Sequence, residues 1–182
     1  MKKVAVFLAD GFEEIEALST IDILRRAGVE VTTVSISDNP LVTGAFNVTV
    51  KADKLFDETD FATMDMLVLP GGMPGAKHLN EHDGVKKQVL DFAAQGKEIA
   101  AICAAPMVFG GLGLLEGKNA TCYPSFEPEL KGATTTGETV VVDGNITTGK
   151  GPGFAFDFAL ALVEKLMGAE VRKEVESGML LA

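Results

Sequence analysis

The chain has 182 residues, 47% of them hydrophobic and 23% charged, which suits one folded domain over 1–182 and is too apolar for a disordered chain. Its 16 Lys and Arg against 26 Asp and Glu give a net charge of −10. Nucleic acid and anionic membranes are therefore not expected partners, because phosphate neutralisation needs clustered cations.

Lys3–Ala9, rich in Val, predicts a buried first strand. Lys2 and Lys3 ahead of it imitate a secretion signal, but the apolar run stops at Asp10 and no cleavage site follows. Glu14–Ala27 carries Ile15, Leu18, Ile21, Leu24 and Ala27 at helical spacing and ends at Gly28. Val29–Ser35 predicts the second strand, and Leu41–Val50 a hairpin or short strands around Gly44. Asp65–Leu69 is an apolar run cut off by Pro70-Gly71-Gly72. Asp83 caps a helix reaching Ala94 and closed by Gly96. Glu98–Ile102 predicts a short buried strand running into Cys103, and Pro106–Leu115 a helix despite its glycines. Val140–Val142 and Ile146–Thr148 flank the hairpin turn Asp143-Gly144. Phe154–Met167 is the last clear helix, closed by Gly168, and the tail from Ala169 shows no decisive pattern.

Alternating apolar strands and helices predict an α/β fold, with a mostly parallel central sheet covered on both faces. No stretch approaches the roughly 18 apolar residues of a membrane span. Two cysteines, Cys103 and Cys122, are no disulfide framework and suit a reducing, cytoplasmic compartment. Ligands in such sheets sit at the carboxyl ends of strands. That singles out Asp10–Glu16, Pro70–Gly75, Cys103–Pro106 and Gly149–Gly153.

Three patterns mislead. Gly144-Asn145-Ile146-Thr147-Thr148-Gly149-Lys150-Gly151 imitates a P-loop, but Gly151 stands where a hydroxyl must hold magnesium. Gly111-Leu112-Gly113 misses the dinucleotide fingerprint, because Glu116 replaces its last glycine. His78-Leu79-Asn80-Glu81-His82 fits a zinc-peptidase pattern. Gly75 and Gly84 leave it only a turn or so of helix, and no third ligand is indicated, so both histidines read as solvated and no metal is expected.

Ile99-Ala100-Ala101-Ile102-Cys103-Ala104-Ala105-Pro106 is more specific. A buried strand ending in Cys, then small residues, then a proline-started helix is the layout of a nucleophile elbow. The helix N-terminus is expected to lower the thiol pKa from about 8.5. The competing reading is a buried structural cysteine. Glu13 and Glu14 suit a first helical turn, whereas Glu16 is placed to point inward. A buried carboxyl near the sulfur should keep its proton and donate a hydrogen bond to thiolate. The backbone N–H groups of Gly72 and Ala104 form a candidate oxyanion hole.

Ala9-Asp10-Gly11-Phe12-Glu13-Glu14-Ile15-Glu16, Leu69-Pro70-Gly71-Gly72, the Cys103 elbow and Gly151-Pro152-Gly153 occur in order across nearly the whole chain. Together they resemble the ThiJ/PfpI superfamily, in the branch of the parkinsonism-associated protein deglycase and bacterial YajL. The resemblance implies a flavodoxin-like three-layer α/β/α sandwich, a homodimer, Cys103 as nucleophile and redox-sensitive thiol, and Glu16 as its protonated partner. Gly72 and Ala104 fall on the N–H positions; Gly71, Tyr123 and Cys122 are auxiliary candidates. Tyr123 stands where the human relative has histidine, and Ala104 where the protease branch has histidine after its cysteine, which argues against a Cys-His hydrolase. No histidine follows His82, so the downstream pair of class I amidotransferases is missing too.

Two functions follow from the resemblance. One is a cofactor-free glyoxalase III or protein deglycase, acting on a small aldehyde such as methylglyoxal or on glycated protein. The other is a redox-sensing chaperone or stress-response protein working through Cys103 oxidation.

Overall fold

The computed structural model describes residues 1–181. Its central strands are the near-continuous apolar runs, as burial on both faces requires. These are β1 (Lys3–Leu8), β2 (Glu30–Ser35), β5 (Lys54–Leu55), β6 (Met66–Leu69), β7 (Glu98–Ile102), β10 (Val140–Asp143) and β11 (Ile146–Gly149). They form one seven-stranded sheet in the order β10-β11-β7-β6-β1-β2-β5. Every pairing is parallel except β10 with β11, the hairpin turned by Asp143-Gly144. Two small sheets lie outside it: the antiparallel hairpin of β3 (Leu41–Thr43) and β4 (Thr49–Lys51), and the parallel pair β8 (Asn119–Ala120) and β9 (Thr134–Thr135).

Helix α1 (Glu14–Arg26) packs on α5 (Ala155–Met167), and α5 on α6 (Ala169–Gly178). Helices α2 (Gly75–Glu81), α3 (Asp83–Ala94) and α4 (Pro106–Gly111) form a second group, with α2 on α3 and α4. The result is the expected flavodoxin-like sandwich, its sheet buried between two helical layers. Among the described residues no helix is long and apolar enough to cross a membrane.

The structure differs from the sequence expectation at several helices. The α1 stripe is rotated: Ile15 and Leu18 are exposed, while Glu14, Glu16 and Thr20 are buried. Its polar first turn thus faces the strand ends. The cap of α3 is His82, whose Nδ1 accepts the Val85 N–H, and Asp83 instead pairs with Lys86. Helix α4 stops at Gly111, short of Leu115, because Gly113 takes φ 74°, which no α-helix accommodates. Helix α2 is longer than one turn, and the unpatterned tail contributes α6.

Candidate active site

Strand β7 delivers Cys103 to the carboxyl edge of the sheet. The residue adopts φ 65°, the left-handed region that costs an ordinary side chain roughly 1–2 kcal/mol. Two main-chain bonds hold the strained turn. The Cys103 N–H donates to the Gly149 carbonyl at 2.9 Å, and the Tyr123 N–H donates to the Cys103 carbonyl at 2.9 Å. Ala104 and Ala105 then lead into Pro106 at the start of α4. This is the tight strand-to-helix turn expected from the sequence.

The loop after β6 closes over it. The Gly71 N–H donates to Glu16 Oε2 at 2.8 Å, and the Glu13 N–H donates to the Gly71 carbonyl at 2.9 Å. A Cβ on Gly71 would lie 2.5 Å from Cys103 Cβ and 2.6 Å from Glu16 Oε2, so only glycine lets the three segments converge. Gly72 has φ 89°, and a side chain there would meet the backbone of Gly11 to Glu13. Its N–H, with that of Ala104, is aimed at the Cys103 sulfur.

Glu16 is fully buried, and the Glu13 carboxylate accepts its N–H at 2.8 Å. Oε1 of Glu16 is buried with no hydrogen-bond partner, and the Cys103 thiol is a neighbour of the carboxyl. Burial, reinforced by the charge of Glu13, pushes the Glu16 carboxyl from 4.5 up to about 7, against the bonds from Cys103 and Gly71. Burial also pushes the Cys103 thiol from 9.0 up to about 12, with the Glu16 charge adding to it and the Gly72 and Ala104 N–H groups opposing it. The expectation of a thiol acidified by a helix terminus is corrected here, since desolvation is the larger effect. The two groups titrate as a pair. The first proton leaves near neutrality, and the second is held far more tightly.

Cys103 is on the wall of a cavity of about 690 Å³, together with Glu13, Glu14, Gly72, Met73, Ala104 and Tyr123. No lysine, arginine or histidine is among the lining residues. Tyr123 is half-exposed at the rim. The sequence reading missed the part played by the β3–β4 hairpin, which contributes Phe46 and Val48. Glu14 Oε1 ties it down by accepting the N–H groups of Phe46 at 2.7 Å and Val48 at 3.3 Å. The signal was Gly44: a side chain there would run into the Glu14 carboxyl.

The other candidates stand apart. Cys122 is buried and faces a different cavity, beside Glu127 and Lys150; burial and then Glu127 push its thiol from 9.0 up to about 11. Both cysteines are free. His78 Nδ1 lies 3.0 Å from the Asp10 carbonyl and His82 caps α3, so both rings serve local structure where solvated side chains were expected. Among the described residues no group of three His, Cys, Asp or Glu side chains is placed to hold a metal.

Comparison with known proteins gives a consistent result. The profile of the DJ-1/PfpI family matches residues 2–165. Protein DJ-1 homolog B of Arabidopsis thaliana is 40% identical over 182 residues, covering 99% of this chain but only 42% of that protein, so the chain spans less than half of this relative. A deglycase of Thermococcus kodakarensis is 33% identical over 168 residues, covering 90% of this chain and 99% of that one. The structure of oxidized DJ-1 from Toxoplasma gondii superposes with a TM-score of 0.95 at 41% identity, covering 99% and 98% of the two chains.

Proposed function

This chain belongs to the DJ-1/PfpI family, and from that premise we propose that it removes reactive carbonyl groups through Cys103 and Glu16. A buried thiol set against a buried carboxyl, in a cavity without a basic side chain, supports this above all. Amide cleavage needs a base that can also protonate a leaving amine. Addition to an aldehyde needs only a sulfur, one mobile proton and stabilisation of the oxygen.

The chemistry balances without a cofactor. Cys103 Sγ forms a bond to the aldehyde carbon of methylglyoxal, and the carbonyl π electrons move to oxygen. That oxygen takes the proton the pair retains, giving a hemithioacetal and leaving Glu16 as carboxylate. As sulfur loses its charge, the Gly72 and Ala104 N–H groups are free to turn to the developing oxyanion. Glu16 then removes the hydrogen from the thiol-bearing carbon and returns it to the adjacent carbonyl carbon, while the proton on oxygen moves to the neighbouring oxygen. The product is a thioester. Water cleaves it to lactate and restores the thiol. Gly71 is a positioning residue that orients Glu16 through its N–H, and Tyr123 borders the entrance as an auxiliary group.

The Thermococcus relative is a deglycase by name, which supports early carbonyl adducts on protein as substrates beside the free dicarbonyl. Exposed Ile15, Phe46 and Val48 at the rim support the homodimer that the family resemblance implies. The test is lactate formed from methylglyoxal. Cys103→Ser is expected to lower it by about a hundredfold or more, and an equal yield removes the mechanism.

A second reading draws on the oxidized state of the Toxoplasma relative. Peroxide would add oxygen to Cys103, with Glu16 donating its proton to the oxidised sulfur. Intact mass after mild peroxide tests this: oxygen is expected on Cys103, and its appearance on Cys122 alone refutes it.

A further inference from the structure

Every titratable side chain on the active-site cavity other than Cys103 and Tyr123 is acidic, and two of the three carboxyls gathered there lack partners for one oxygen. Glu14 and Glu13 line the cavity and are more than nine-tenths buried; Glu16 lies directly behind Cys103 and is fully buried. Glu14 Oε1 is taken up by the hairpin N–H groups, whereas Oε2 is buried with no donor. Glu13 Oε2 accepts the Glu16 N–H. Among the described residues of this chain no Lys, Arg or His lines the cavity to offset these groups. The rest of the wall includes Ile15, Ala45, Phe46, Val48, Phe126 and Pro152, which present little to screen the charge.

We propose that Glu14, seconded by Glu13, makes this cavity a charge filter: it admits neutral and cationic electrophiles to Cys103 and rejects anionic ones. This rests on the carbonyl reading above and names its substrate class. Neutral dicarbonyls and carbonyl adducts that retain an ammonium or guanidinium group enter. Carboxylated or phosphorylated aldehydes are turned away, because their charge would approach a carboxylate across an apolar wall. Glu14 is a specificity-determining residue here, with no part in bond making.

The test reads modification of Cys103 in the full chain by three small methanethiosulfonates, one cationic, one neutral and one anionic. Each rate is measured by intact mass and divided by that reagent's rate with a free small thiol. The anionic reagent is expected to fall below the neutral one by on the order of tenfold, and the cationic one to match or exceed it. Glu14→Gln keeps an oxygen for the Phe46 and Val48 N–H groups and should shrink the anionic penalty several-fold. Glu13→Gln serves as the second variant should Glu14→Gln fail to fold, as judged by circular dichroism, and should shrink it less. Equal normalised rates for the three reagents, or an anionic penalty that survives both substitutions, overturn the filter and leave the carbonyl reading standing. Failure of the neutral reagent to reach Cys103 overturns both.

Discussion

Cys103 and Cys122 are both free, both buried and both pushed far above the ordinary thiol range, yet their surroundings differ in every respect that bears on chemistry. Cys122 is raised by burial and by the Glu127 carboxylate, in a cavity separate from that of Cys103. Cys103 sits in a strained turn, with two N–H groups aimed at its sulfur and a carboxyl beside it. Burial alone therefore does not set the two thiols apart. The difference is a buried carboxyl beside the sulfur, brought close to it where Gly71 leaves room.

Gly71→Ala should break the contrast most completely. The added methyl has nowhere to go: Cys103 Cβ, Glu16 Oε2 and the Ile102 carbonyl all lie within 2.9 Å of its ideal position. Overpacking of this kind costs roughly 1–3 kcal/mol, and the displacement parts the carboxyl from the sulfur. Lactate formation should fall about as far as in Cys103→Ser, with a lower midpoint in urea. A variant that folds normally and keeps full turnover would show that the close approach of the three segments is not required.

Glu16→Gln comes next and separates proton transfer from shape. Turnover should drop by about a hundredfold, the usual scale of an acid–base group. Stability supplies a second readout with a definite sign. Glu16 binds its proton more tightly in the folded chain, from 4.5 up to about 7. Its contribution is complete below pH 4.5 and is lost as pH rises through about 7. Wild-type stability should decline across that window relative to Glu16→Gln, by on the order of 3 kcal/mol. Glu13 acts with the same sign but is present in both proteins, so the difference isolates Glu16. Alkylation of Cys103 should begin at lower pH in Glu16→Gln than in wild type, because the Glu16 charge that adds to the burial of the thiol is gone. Burial, the larger cause, remains in the variant, so the thiol should still ionise above 9.0, its ordinary value.

Much of this arrangement was legible in the amino-acid order, and the exceptions have physical causes. The apolar runs at β1, β6 and β7 had to be central parallel strands, and Cys103 between Ile102 and Ala104 had to sit at a tight strand end. What spacing could not convey was the rotation of α1. Ile15 and Leu18 fit a buried stripe, but Glu14 and Glu16 occupy the interior because Gly71 and the hairpin backbone supply their hydrogen bonds. Those donors come from residues far along the chain. The thiol pKa was misjudged for a related reason: a helix terminus is visible in sequence, whereas the depth of burial that outweighs it belongs to the assembled fold. The cap of α3 went to His82 because its ring nitrogen reached the Val85 N–H, a role shared with no residue type the helix-start pattern favours.

Cys122→Ala should produce the smallest change and is the sharpest control on the contrast. The side chain is buried, so its loss leaves a small void worth about 1 kcal/mol, visible as a modest shift in the urea midpoint. Lactate formation should stay within about twofold of wild type, because Cys122 opens to a different cavity from Cys103 and lies outside the Cys103–Glu16 pair. The same variant treated with mild peroxide should still gain oxygen at Cys103. If removing Cys122 instead abolished turnover, or prevented recovery of the oxidised protein by a thiol reductant, the two sulfurs would be acting together. The carboxyl partner and the directed N–H groups would then no longer account for the difference between them.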